Sequence, residues 1–81
     1  MKKTTLEKVF EYASVPVHGT MSRKLRKDIK LQVNGGDVYE EAVLFLGEEF
    51  VRVTCTAGGV ASNTYYDWDG IVSVRTMSPS A

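Results

Sequence analysis

The sequence predicts a mainly β domain: one N-terminal α-helix, then five short strands in a strongly bent antiparallel barrel. Three observations predict it. Apolar residues recur at helical spacing only near the N-terminus, at Leu6, Val9, Phe10 and Ala13. From Asp28 onward the period changes to two, with Ile29, Leu31 and Val33 alternating with Lys30 and Gln32. Turn signals then punctuate the chain at Asn34-Gly35, Gly47-Glu48-Glu49, Ala57-Gly58-Gly59 and Asp67-Trp68-Asp69-Gly70.

The helix comes first. Thr4-Thr5-Leu6-Glu7 has the spacing of a capping box, in which a threonine oxygen and the Glu7 carboxylate satisfy free N–H groups. Pro16 disfavours a helical conformation at Val15, so the helix is expected to stop near Ser14. About three turns are too few to be stable alone, so the apolar face must dock on something. Residues 15–27 admit a solvated loop, a second short helix or the start of a strand.

Five strands are expected after that. The first runs from Ile29 to Val33 and ends in Asn34-Gly35, the strongest short hairpin signal. Val38 to Leu46 is a second strand, long enough to bend across both halves of a barrel. Phe50 to Thr56 is a third, with Val51, Val53 and Cys55 on one face and Arg52, Thr54 and Thr56 on the other. Val60 to Tyr66 and Ile71 to Met77 complete the set. Residues 1–77 read as a single domain and 78–81 as a disordered tail.

Composition bounds the function. A chain of 81 residues supports one thin core, burying roughly 60% of the surface its unfolded form exposes, so a partner subunit would help it. One Cys and one His exclude an internal disulfide framework and a zinc knuckle. The longest apolar run, Ala42 to Leu46, is far shorter than the roughly 20 residues of a membrane span. Glu7, Lys8 and Glu11 interrupt any signal-peptide core, so a cytoplasmic protein is expected.

Formal neutrality hides an asymmetry. Residues 1–30 carry eight of the ten cations and three of the ten anions, and residues 31–81 the reverse imbalance. Arg23, Lys24, Arg26, Lys27 and Lys30 form the densest basic cluster, suited to several phosphates and to salt-sensitive binding. The same residues suit ion pairs with Glu40, Glu41, Glu48 or Glu49. Tyr65, Tyr66 and Trp68 are the matching aromatic set, since exposed rings stack on unpaired bases. Alternation puts Tyr65 and Tyr66 on opposite faces, and a corner Trp68 also suits a plug for one end of the barrel. Asp67 and Asp69 lack the other ligands of a calcium loop, with Tyr65 and Thr76 where oxygen donors belong. No cofactor motif and no nucleophile–base pair stands out, so no enzymatic activity is expected.

Two segments carry a resemblance. Ile29-Lys30-Leu31-Gln32-Val33-Asn34-Gly35 looks like the first motif of the Sm-like (LSm) family, whose bacterial branch is Hfq-type. Tyr66-Asp67-Trp68-Asp69-Gly70-Ile71-Val72-Ser73-Val74 looks like the second. The resemblance spans roughly residues 4–77 and implies an SH3/Sm-like barrel. It also implies a ring-shaped homo-oligomer of five to seven subunits, strand four of one subunit pairing with strand five of the next, that binds RNA or another nucleic acid. Two departures stand out. Asp67 and Trp68 occupy the place of the Lys-His pair that helps the bacterial members grip RNA, and Asp69 precedes Gly70 where other members carry Arg-Gly. The alternative expectation is an SH3-like adaptor that uses the same barrel to hold a protein partner.

Overall fold

The computed structural model describes residues 1–80. Ala81, the end of the expected tail, lies outside the described residues.

Helix α1 (Lys3–Ala13) begins before the expected cap. Lys2 is the capping residue, extended and without a side-chain hydrogen bond. Thr4 is therefore already inside the first turn, and the capping box does not form. The helix ends where expected: Ser14 is extended, and its Oγ donates to the Phe10 carbonyl at 2.6 Å. Leu6, Phe10 and Ala13 are fully buried, while Val9 is half-buried at the edge of the stripe.

Eight strands follow, not five: β1 (Ser14–Pro16), β2 (Arg23–Leu25), β3 (Lys30–Val33), β4 (Val38–Tyr39), β5 (Val43–Leu46), β6 (Phe50–Ala57), β7 (Val60–Asp67) and β8 (Val74–Met77). They form an antiparallel five-stranded sheet, β1-β2-β5-β6-β7, and an antiparallel three-stranded sheet, β4-β3-β8. The two are not closed into a barrel.

Three local causes separate this architecture from the expected one. Residues 15–27 contribute a hairpin, with Ser14 opposite Leu25 and Pro16 opposite Arg23. The expected second strand breaks at Glu40–Ala42, where Glu41 takes the left-handed conformation (φ 53°), so β4 lies in one sheet and β5 in the other. The expected fifth strand starts late because Val72 and Ser73 give their N–H groups to the Asn34 side chain rather than to a neighbouring strand.

β2 with β3, and β4 with β5, are the two arms of one kinked hairpin about Asn34-Gly35. Both turn residues have positive φ (53° and 67°), and Gly36 N–H closes the turn on the Val33 carbonyl at 3.0 Å. Each arm is interrupted at the same level, and beyond the break Leu25 N–H bonds the Ala42 carbonyl at 2.9 Å. The kink carries the hairpin from one sheet to the other. A second tight turn, Gly58-Gly59 with φ of 59° and 79°, joins β6 to β7.

The core lies between the sheets. Leu25, Leu31, Val33, Leu44, Val51, Val53 and Ile71 meet the helix residues Leu6 and Phe10 there. Trp68, in a 3-10 turn (Trp68–Gly70), packs edge-on against Phe10 at 5.9 Å. Its indole N–H reaches the Gly47 carbonyl at 2.9 Å. Because α1 packs on β1, β8 and this 3-10 turn, the opposite, outer face of the five-stranded sheet stays uncovered.

Candidate nucleic-acid interface

Alternation along the strands decides what the outer face presents. Val51, Val53 and Leu44 point into the core, so Phe50, Arg52, Thr54 and Phe45 point away from it. Registers then align two rows. Phe45 stands opposite Arg52 and Arg52 opposite Tyr65; Lys24 stands opposite Val43, Val43 opposite Thr54, and Thr54 opposite Asn63.

The first row is an aromatic cluster with a cation in it. Phe50 lies 5.6 Å from Tyr65, edge to face, and 6.1 Å from Phe45. The Arg52 guanidinium sits 5.2 Å from the Phe45 ring centre. Its Nε–H is buried with no hydrogen-bond acceptor, and among the described residues Arg52 has no ion-pair partner. A buried donor left unpaired costs about 1–3 kcal/mol, so its place on a sheet face asks for a reason. Tyr65 is 60% exposed, with its ring available from solvent. Beside it, the Thr54 hydroxyl donates to Asn63 Oδ1 at 2.7 Å.

The residues expected from sequence divide differently. Of the aromatics, Tyr65 alone is free to stack. Tyr66 faces inward as alternation requires, and its hydroxyl meets that of Tyr39 at 2.6 Å, linking the two sheets. Burial pushes the Tyr66 phenol far above the usual tyrosine range, with the Tyr39 hydrogen bond adding to the effect. Trp68 is 4% exposed and serves as a plug, with the Lys3 ammonium 5.8 Å above its ring.

The five cations do not converge. Arg23 donates to Ser14 Oγ and to the carbonyls of Glu11 and Ser14. Arg26 donates to the Tyr12 carbonyl at 2.7 Å. Both thus neutralise the negative C-terminal end of α1. Lys30 pairs with Glu40 at 3.1 Å and lines a groove with Lys27, Glu40 and Glu41. Lys24 alone lies on the outer face with the aromatic cluster. Phe45, Phe50 and Arg52 were not singled out by sequence. The signal that could have found them is the register, which sets Arg52 between Phe45 and Tyr65.

The rest of the molecule offers little chemistry. No group of three His, Cys, Asp or Glu among the described residues could hold a metal ion. Burial pushes the Cys55 thiol up, which lowers its thiolate fraction and its reactivity. No described helix is long and apolar enough to cross a membrane.

Compared with protein-family models, curated proteins and solved structures, the chain matches none.

Proposed function

We propose that this protein is a non-catalytic, cytoplasmic Sm-like module that assembles into a ring of identical subunits and binds single-stranded RNA or another single-stranded nucleic acid. The observation that carries the reading is the outer-face cluster of Phe45, Phe50 and Tyr65 around an unpartnered Arg52. Stacking platforms with an adjacent cation hold single strands in this way, each base–aromatic contact contributing about 1–3 kcal/mol. Lys24 adds charge for the backbone on the same face.

Two further features support it. The segments resembling the two Sm-like motifs meet at Asn34, whose side chain bonds Gly70, Val72 and Ser73. The edges that ring assembly would use are also free. β7, eight residues long, pairs only with β6, and β8 pairs only with β3. The other two edges are short, β1 carrying Pro16 and β4 being two residues long. The β7 edge, without proline or lysine, is the longer of the two left open for an intermolecular ladder.

The same edge favours a second reading, an adaptor that takes an extended peptide as an added strand. Titration of a fluorescein-labelled oligouridine, followed by anisotropy at low and high salt, separates the two. The proposal expects salt-sensitive binding that Tyr65→Ala weakens about fivefold or more. Light scattering should give a mass of five to seven subunits. A monomer that ignores RNA would reverse the proposal.

A further inference from the structure

The outer face carries more than a stacking platform. Along β7, Asn63, Tyr65 and Asp67 point to the same side at intervals of two residues. Tyr65 therefore has an amide on one side and a carboxylate on the other, and Arg52 across from it. At strand spacing the Asn63–Asp67 span is about 13 Å. That leaves room for a purine on the Tyr65 ring with one hydrogen bond at each end.

The chemistry of the two ends differs. Asn63 Oδ1 is already occupied by the Thr54 hydroxyl, so its free group on this side is the NH2 donor. Arg52, level with Tyr65 and so between the two ends, with its guanidinium against the Phe45 ring, is donor-only and has no hydrogen-bond or ion-pair partner among the described residues. At the other end Asp67, exposed and without an ion-pair partner among the described residues, only accepts.

Guanine alone among the four bases matches both ends. Its O6 and N7 are adjacent acceptors, the edge an arginine reads in pairs. Its N1–H and N2–H2 groups are adjacent donors, suited to a carboxylate. Adenine sets an N6 donor beside N7 and an N1 acceptor toward the carboxylate, and cytosine sets its N4 donor where O6 would be. Uracil has no pair of adjacent acceptors.

Resting on the reading of this face as a single-strand interface, we infer that the base held on Tyr65 is guanine. Arg52 and Asn63 take its O6/N7 edge, and Asp67 takes its N1–H and N2–H2 groups. Asp67 then acquires a role despite being ill suited to phosphate.

The test keeps the protein unchanged and varies the base. Oligouridine heptamers with guanosine, inosine, 7-deazaguanosine, adenosine or cytidine at the centre are titrated by anisotropy. Guanosine should bind about fivefold or more tightly than adenosine or cytidine. Replacing N7 by carbon, or removing the N2 amino group, should each lose part of that advantage. Arg52→Lys should abolish the penalty for 7-deazaguanosine, and Asp67→Ala the penalty for inosine, each judged as a ratio of affinities against guanosine in the same variant. Equal affinity for all central bases, or preference for another, would overturn the guanine assignment and leave the stacking interface standing. Failure of every heptamer to bind would overturn both.

Discussion

The amide nitrogen of Asn34 donates to the carbonyl of Gly70 at 2.9 Å, joining two turns 36 residues apart in sequence. The Asn34 Oδ1 atom at the same time accepts from the N–H groups of Val72 (2.8 Å) and Ser73 (3.3 Å), and Asn34 N–H bonds the Ser73 carbonyl at 2.9 Å. One side chain thus holds the β3–β4 turn against the chain entering β8. It also keeps Val72 and Ser73 out of the strand.

Asn34→Gly keeps the left-handed backbone but removes the side-chain bracket. We expect a loss of about 1–2 kcal/mol, since several hydrogen bonds go at once from an exposed site. Asn34→Ala should lose more, because the positive φ is then strained as well. Urea denaturation of both variants checks the order.

Arg23 and Arg26 both donate to carbonyls at the C-terminal end of α1. Arg23→Ala releases carbonyls at the C-terminal end of α1 and the buried Ser14 hydroxyl, at a cost of about 1–2 kcal/mol. Its effect on oligouridine affinity, measured on folded protein, should be small beside that of Arg52→Ala. A large selective loss of binding would return Arg23 to the interface.

Trp68 is the single tryptophan, and it is buried. Its emission should be blue-shifted and resistant to acrylamide, and added oligonucleotide should leave it nearly unquenched. Strong quenching by RNA would mean that this ring stacks on a base. Trp68→Phe removes the bond to the Gly47 carbonyl and should destabilise the fold by about 1 kcal/mol or more.

The Tyr39–Tyr66 contact makes stability sensitive to alkali. The folded state holds the Tyr66 proton well above the ordinary tyrosine value of about 10. Below that value both states are protonated and the contribution is fully present. As pH rises past about 10 the unfolded chain loses its proton first, so this contribution to stability falls with pH. Tyr66→Phe should cost about 0.5–1.5 kcal/mol at neutral pH from the lost hydrogen bond. It should also flatten the alkaline part of a plot of melting temperature against pH.

Local signals made part of this structure legible. Leu6, Phe10 and Ala13 marked the buried face of the helix, Pro16 its end, and Asn34-Gly35 the central hairpin. Alternation separated Tyr65 from Tyr66 and set Arg52 and Thr54 opposite Val51 and Val53. What was missed depends on contacts distant in sequence. The β1–β2 hairpin is polar and short, and it exists because β2 continues the arm of β3 onto β5. The break at Glu41 lies in a run that reads as unbroken strand, and its left-handed φ has no glycine to announce it. The basic cluster looked continuous because its residues are neighbours in sequence. The fold sends Arg23 and Arg26 to the helix end, Lys30 to Glu40 and Lys24 to the outer face. Phe45 and Phe50 lie among apolar neighbours in sequence, yet alternation with the buried Leu44 and Val51 puts them on the outer face.

The measurement that tests the central claim most directly is a map of amide chemical-shift changes as unlabelled single-stranded RNA is added to 15N-labelled protein. The account predicts that shifts concentrate at Phe45, Phe50, Arg52, Asn63 and Tyr65, with Lys27 and Lys30 little changed. Shifts confined to the Lys27–Lys30 groove and the acidic turn at Glu48, or none at all, would contradict it.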